Sequence, residues 1–366
     1  MTLHVFNPEH DIALAANLSN FTSPRAGRQL RSDLGFLPAL WAEEGDAVWV
    51  DDVAAAGKQW PGNYVCSLAD VNVTAVAPWG WDRALCAQLR RQGVPADVLP
   101  TDEQLERYRQ LSHRRTAALL LPQLRVEGTV GEAVACSTLD EIADFQLRHG
   151  NIVLKAPWSS SGRGVRFLSN PISPINPISP ISPISPIGPI SPMSPISSWI
   201  TRTIQTQGCI MAEPKYEKVM DFGMEFEVDE MGQIRYCGLS LFHTVGSAYV
   251  GNLLVTEKKK QEVISRYIPV SLLEDIKERI RRCLSLSDYR GCFGVDMMIC
   301  ASPHGQGKTD AAVPYLLHPC VEINLRRTMG HVALALHRRL NPTDDDAFEA
   351  VMQVKYDGAH YRLSYQ

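Results

Sequence analysis

Apolar and polar side chains alternate in short runs along much of the chain, the period of a strand with one buried face. In residues 321–330 the alternation puts Glu322, Asn324 and Arg326 on one face. In residues 294–299, Val295, Met297 and Ile299 share a face and Asp296 points the other way, a carboxylate that needs a partner. Residues 224–229, a turn at Gly232 and residues 234–242 read as a hairpin with Glu225, Glu227 and Asp229 on its polar face. Residues 151–167 form another: an apolar strand ends in Lys155, a Ser/Gly loop follows, and a second strand returns.

The first third has a different rhythm. Residues 1–6 and 47–50 read as strands and 81–91 as a helix, which predicts a small α/β domain over residues 1–108. Thr101-Asp102-Glu103-Gln104 is a capping box opening a helix through Leu105, Tyr108 and Leu111. The first strand runs into Asn7-Pro8-Glu9-His10-Asp11, where an open α/β sheet binds ligands. Glu9, His10 and Asp11 either touch a second substrate or form a polar turn with Asp11 capping the helix that follows.

Composition narrows the class. With 366 residues, 45% hydrophobic and 21% charged, the chain has material for two or three ordinary globular domains. A net charge of -4 leaves no footprint for nucleic acid, and Lys258-Lys259-Lys260 reads as a solvated turn. No apolar run approaches the roughly 20 residues that span a bilayer, and the N-terminus reads as a strand rather than a signal peptide, so a cytoplasmic protein is expected. Nine cysteines without a Cys-x-x-Cys pair indicate neither a disulfide framework nor a zinc knuckle. Cys209, Cys292 and Cys320 sit in apolar runs and read as core residues.

Residues 171–198 are a near-perfect Ile-Ser-Pro repeat. Proline at every third position removes donors and fixes φ, which disfavours helix and ladder strand and favours polyproline II. The segment reads as a passive insertion in a surface connection, with a docking ligand or a lid extension as the alternatives. Gly305-Gln306-Gly307-Lys308-Thr309 ends like a P-loop, but Ser302 stands where that cradle needs glycine, and Ala311-Ala312-Val313-Pro314 follows where a helix should.

Glu322, Asn324 and Asp296 supply the oxygen donors that suit Mg²⁺, and Arg326 supplies a fork for phosphate or carboxylate. Phosphate chemistry is the first expectation. The ordered set of Lys155 with its glycine-loop hairpin, an acidic strand at Glu213, Asp296, and Glu322-x-Asn324-x-Arg326 resembles the ATP-grasp superfamily, of the carboxylate–amine ligase type, over roughly residues 110–335.

The resemblance implies an α+β / α/β chain: two α+β subdomains gripping ATP (109–212, carrying the 171–198 insertion, and 213–366), preceded by the Rossmann-like unit. It implies that Lys155 holds phosphates and that Ser159, Ser160, Ser161, Gly162 and Gly164 belong to the loop covering them. It likewise makes Glu213 the hinge acid near adenine, Asp296, Glu322 and Asn324 the Mg²⁺ ligands, and Arg326 the group steadying the transferring phosphoryl. The family's usual helix lysine is missing, and Arg114 or Arg115 stands in its place. The long gap from Asp296 to Glu322 holds a polar stretch, 301–312, that reads as an extended hairpin tip.

The implied cofactors are ATP and Mg²⁺, and the implied partners are small-molecule or peptide carboxylates and amines, with neither nucleic acid nor membrane; a homo-oligomer is compatible with the reading. Glu225 and His243 are further candidates for the substrate side. A kinase on the same scaffold and a non-catalytic nucleotide-binding protein are the rival functions. Deleting residues 171–197 should leave nucleotide affinity within about twofold if the repeat is a passive insertion; calorimetric titration of ATP checks this, and a large loss would assign the repeat to the lid.

Overall fold

The computed structural model describes residues 1–159, 164–169, 195–245, 248–286, 288–302 and 314–366. Three sheets organise them. In the first, β1 (Thr2–Val5), β2 (Ala47–Trp49), β3 (Tyr64–Val65) and β4 (Ala75–Pro78) run parallel in the order β3-β2-β1-β4. The second is antiparallel, β5-β8-β6-β7, from β5 (Val134–Cys136), β6 (Ile152–Lys155), β7 (Val165–Leu168) and β8 (Ile210–Pro214).

The third sheet has seven antiparallel strands, β9 (Lys218–Val228), β10 (Ile234–Val245), β11 (Ala248–Leu254), β12 (Gly291–Ala301), β13 (Tyr315–Asn324), β14 (Ala350–Tyr356) and β15 (Tyr361–Tyr365), ordered β13-β12-β9-β10-β11-β14-β15. Both expected hairpins are present, β6–β7 after Lys155 and β9–β10 through Gly232. Strands β12 and β13 pair as the long hairpin that the sequence predicts, although its tip, including Gly305 to Thr309, lies outside the described residues.

The period-two pattern decides which face of the large sheet is dry. Phe222, Met224 and Phe226 of β9 and Phe293, Val295 and Met297 of β12 pack under the helices Arg115–Leu124, Glu257–Ser265 and Val270–Cys283. Phe226 and Phe293 stack at 5.0 Å, and each fully buried aromatic of this kind contributes about 2–3 kcal/mol over an exposed one. The alternate residues, Asp221, Gly223, Glu225 and Asp296, therefore face the other way, into the cavity.

A second core joins the parallel unit to the large sheet through the helix Met329–Leu340. Phe6, Leu34, Leu37, Val48 and Trp79 pack with Val332, Leu336 and, from β11 and β14, Leu254 and Met352. Thr328 caps this helix, accepting from the backbone N–H of Gly330 (3.1 Å) and His331 (3.3 Å). Gly238 of β10, at φ +147°, lets Leu334 approach, since a Cβ there would lie 2.9 Å from its side chain.

Two local expectations are corrected. Lys258-Lys259-Lys260 is the first turn of the helix Glu257–Ser265 rather than a loop, and Lys260 is buried, its Nζ 3.8 Å from Glu257 Oε2. Thr256 captures the Lys259 N–H, which makes the run helical. Asp11 does not cap its helix: Glu9 holds the N-cap position without a side-chain bond to the helix, and Asp11 turns to Arg326 at the cavity.

The capping box at Thr101 and Gln104 is present as expected. Cys209, Cys292 and Cys320 are buried with free thiols, as the apolar context implied. No helix among the described residues is long and apolar enough to cross a membrane.

Asp11 and Arg326, 315 positions apart, form a two-point ion pair: Arg326 Nε donates to Asp11 Oδ1 at 3.0 Å and Nη2 to Oδ2 at 2.9 Å. Burial opposes the ionisation of Asp11, but Arg326 more than compensates and holds its carboxyl below the usual range. Asp11→Ala should therefore lower unfolding free energy by about 3 kcal/mol, read from urea denaturation, because it strands a guanidinium at the junction; a loss under about 0.5 kcal/mol would show that the apolar contacts alone hold the two units.

Candidate active site

The polar face of the large sheet, the end of β6 and the parallel unit enclose one cavity of about 710 Å³. Lys155, at the last position of β6, reaches Glu213 of β8 with its Nζ 2.6 Å from Oε2, and both side chains are buried. The register pairs Val153 with Glu213 and Lys155 with Met211, so the contact is diagonal across the ladder.

Arg114 immediately precedes the helix Arg115–Leu124 and, of the two arginines, is the one that lines the cavity. Its Nη2 lies 2.8 Å from Glu322 Oε1, and its Nη1 donates to Ser159 Oγ at 2.7 Å and to the Ala156 carbonyl. Arg115 turns away toward Cys209 Sγ, 3.9 Å distant. Arg114 thereby ties the start of the Ser/Gly loop to the acidic strand. Gly164, at the loop's far end, gives its carbonyl to the Ala156 N–H (2.8 Å), and any side chain there would collide with Ser159. Ser160, Ser161 and Gly162 lie outside the described residues.

On the β12–β13 hairpin, Asp296 pairs across the ladder with Glu322, and Gly294 with Asn324. Asn324 Nδ2 donates to Asp296 Oδ2 at 3.0 Å, and its Oδ1 accepts from Arg326 Nη2 at 2.9 Å. Burial, then the neighbouring carboxylates of Glu322 and Glu225, push the Asp296 pKa up to about 8. Asp296 Oδ1 carries no hydrogen bond among the described residues. Arg326 has its pKa raised: burial opposes its charge, but Asp11 outweighs burial, with Glu322 and Asp296 adding to it.

No three His, Cys, Asp or Glu side chains among the described residues converge as a ready metal cluster. Two cross-strand carboxylates do lie together, with the Asn324 side chain beside them. Two acids placed side by side away from water, one with its pKa raised by burial and by its acidic neighbours, give up that strain to a divalent cation, and their oxygens suit one.

Other expected positions fall elsewhere. Glu9 is bound to Arg31 at 2.9 Å, and His10 is buried against Gly80 with Nδ1 3.5 Å from Asp82, so neither faces the cavity. His243 is exposed and does not line it, because the strand alternation turns Phe242 and Thr244 inward instead.

Several lining groups went unread. Lys218, Asp221 and Thr244 form a closed triangle of 2.6 to 2.7 Å contacts, and Asn252 donates to Ser240 at 2.7 Å. Asp221 could have been found, since it shares the strand face of Glu225; Ser240 and Asn252 carry no signal beyond ordinary alternation.

Two antiparallel sheets and a parallel α/β unit surround one cavity, which brings together the residues that the order of motifs singled out. No family model matches the chain, and no curated protein matches it. Among solved structures, N5-carboxyaminoimidazole synthetase from Staphylococcus aureus complexed with ADP is 10% identical, with 98% of this chain and 83% of that one covered and a TM-score of 0.47. Biotin carboxylase from Campylobacter jejuni is 11% identical, with 96% and 75% covered and a TM-score of 0.48. N5-carboxyaminoimidazole synthase from Aspergillus clavatus, in complex with ADP and its ribonucleotide, is 12% identical, with 96% and 81% covered and a TM-score of 0.47. At such scores the likeness says nothing about substrate or mechanism.

Asp296 binds its proton more tightly folded than unfolded. In metal-free protein its contribution to stability therefore falls as pH rises from about 4 to about 8, at up to about 1.4 kcal/mol per pH unit, and levels off above that. Relative to wild type, Asp296→Asn should gain stability across that window in urea denaturation; parallel curves for the two proteins would show that Asp296 is already ionised.

Proposed function

We propose that the chain is an ATP-dependent ligase that joins a carboxylate to an amine through an acyl-phosphate. The observation that supports this most is the meeting, in one cavity, of three cations from distant segments, Lys155, Arg114 and Arg326, with the oxygen donors Asp296, Glu322 and Asn324. Each cation is matched to a carboxylate: Glu213, Glu322 and Asp11 respectively. A polyphosphate entering between Lys155 and Arg114 exchanges their carboxylate partners for its own oxygens, while Asp11 keeps Arg326 in place, so the positive charge is oriented before the nucleotide arrives.

In this reading Lys155 and Arg114 hold the phosphates, and the loop from Ser159 to Gly164 covers them and excludes water. The adenine end lies at Glu213 and the backbone that follows. Asp296, Glu322 and Asn324 would hold Mg²⁺, which when bound neutralises charge on the phosphate oxygens. Arg326 sits beside this set and steadies the phosphoryl group in transfer.

The substrate carboxylate oxygen attacks the γ-phosphorus, the bond to the β–γ bridging oxygen breaks, and ADP leaves. The amine then attacks the acyl carbon, phosphate departs with the C–O electron pair, and the nitrogen loses a proton. Burial and the shield of side chains protect the acyl-phosphate from hydrolysis between the two steps.

The test is product analysis with pooled carboxylates and amines. ADP and inorganic phosphate should appear in equal amounts, whereas a kinase would release ADP alone. Glu322→Ala should reduce turnover by at least about 100-fold with the folded circular dichroism spectrum retained, and Lys155→Ala should lower kcat/KM by a similar factor. ADP release that no carboxylate stimulates would remove the ligase reading.

A further inference from the structure

One side of the same cavity, its apolar lobe, is lined by residues of a different chemistry from the acidic strands. Its walls are Phe6, Leu30, Leu34 and Trp79 from the parallel unit, with Tyr249 and Val354 from the large sheet. Five cations line the whole cavity among the described residues: Arg114, Lys155, Lys215, Lys218 and Arg326. Arg114, Lys155 and Lys215 lie before or on β6 or just after β8, at the nucleotide end, and Lys218, which opens β9, is taken up by Asp221 and by Thr244 of β10. Arg326, at the boundary, is forked onto Asp11. Among the described lining residues, none from the parallel unit, β10, β11 or β14 is cationic.

The lobe does contain one ionic group without a cationic side chain from Lys or Arg, Glu225. It is 2% exposed, and its Oε2 is held by Thr328 Oγ1 at 2.8 Å and by His331 Nδ1 at 3.0 Å. Its Oε1 has no hydrogen bond among the described residues. That oxygen lies over Gly223 and Gly330, where a side chain would meet it, 3.1 Å away at Gly223 and in outright collision at Gly330. The glycines leave room for a carboxylate lying flat on the cavity floor, and the floor beside it carries the Ser240–Asn252 pair. An oxygen so placed accepts N–H donors.

We propose that this lobe receives the amine substrate, and that this substrate is an unphosphorylated amine or amino acid with an apolar body, its amino N–H groups accepted by Glu225 Oε1. The assignment rests on the ligase reading for the word amine, and on the lobe itself for the class. A phosphate group taken into these walls would be desolvated beside cations already held by carboxylates, Arg326 by Asp11 and Lys218 by Asp221. An aryl or branched alkyl group instead exchanges water for Phe6, Leu30, Leu34 and Trp79. Glu225 is a binding residue here, positioned by Thr328 and His331.

The test is calorimetric titration of the full-length chain, with ADP and Mg²⁺ present, against phenylalanine, leucine, phenethylamine, O-phosphoserine and O-phosphoethanolamine. At least one apolar amine should bind, and both phosphorylated ones at least about tenfold more weakly or not at all. Glu225→Gln should weaken the apolar amine about tenfold. Leu30→Arg, at the partly exposed wall and so independent of the buried Glu225–His331 pair, should weaken it by as much.

Tighter binding of a phosphorylated amine, no binding by any apolar amine, or unchanged affinity in both variants would each overturn the assignment. Nucleotide affinity and ADP release are read on the same samples. Amine binding without amine-dependent phosphate release removes the ligase reading and leaves the lobe assigned, whereas turnover with only phosphorylated amines does the reverse.

Discussion

The geometry of the cavity depends on the fork between Arg326 and Asp11. One partner follows the last residues of β13, the other opens the first helix of the chain, and the pair closes the parallel unit onto the large sheet. Next to it the Arg327 N–H donates to the Trp79 carbonyl at 2.8 Å, and the helix Met329–Leu340 fills the space between the two units. A partly buried two-point pair of this kind is worth little as net stability, since both groups give up much of their water, but it allows few relative positions. The positions it allows bring Trp79 and Phe6 over the same floor that carries Asp296.

Electrostatics inside the cavity follow from that closure. Acids and bases arrive in matched couples, Lys155 with Glu213, Arg114 with Glu322 and Arg326 with Asp11. Asp296 is left without an ion pair among the described residues, and burial, with Glu322 and Glu225 beside it, raises its pKa. The unmatched acid lies between the phosphate-handling end and the apolar lobe, so the lining changes character along the cavity: ion pairs near β6, acids at the β12–β13 hairpin, and mostly apolar walls beyond it.

Much of this was legible in the residues. Strict alternation in 294–299 and 321–326 put Asp296, Glu322, Asn324 and Arg326 on the polar side of adjacent strands, because a strand offers side chains only two directions. Lys155 was legible as the end of an apolar run. What alternation cannot carry is distance between segments. Arg114 and Arg115 are equivalent as letters, and only the helix start decides that Arg114 looks toward Glu322. Asp11 read equally well as a helix cap or a ligand contact, and its true partner lies 315 positions away. Lys260 misled for another reason, since a run of lysines reads as solvated unless a nearby threonine starts a helix and turns one of them inward.

The acidic couple Asp296 and Glu322 owes its spacing to the ladder between β12 and β13, a local pairing of neighbours on one antiparallel ribbon. Whatever joins the far ends of those strands has no part in setting that spacing. Connections of this sort can lengthen or shorten by chance during replication and leave the chemistry alone, because closing a longer loop costs only slowly more. Repetitive and polar sequence is therefore free to accumulate in such joins, and variation in length among kindred chains should gather there and spare the paired acids.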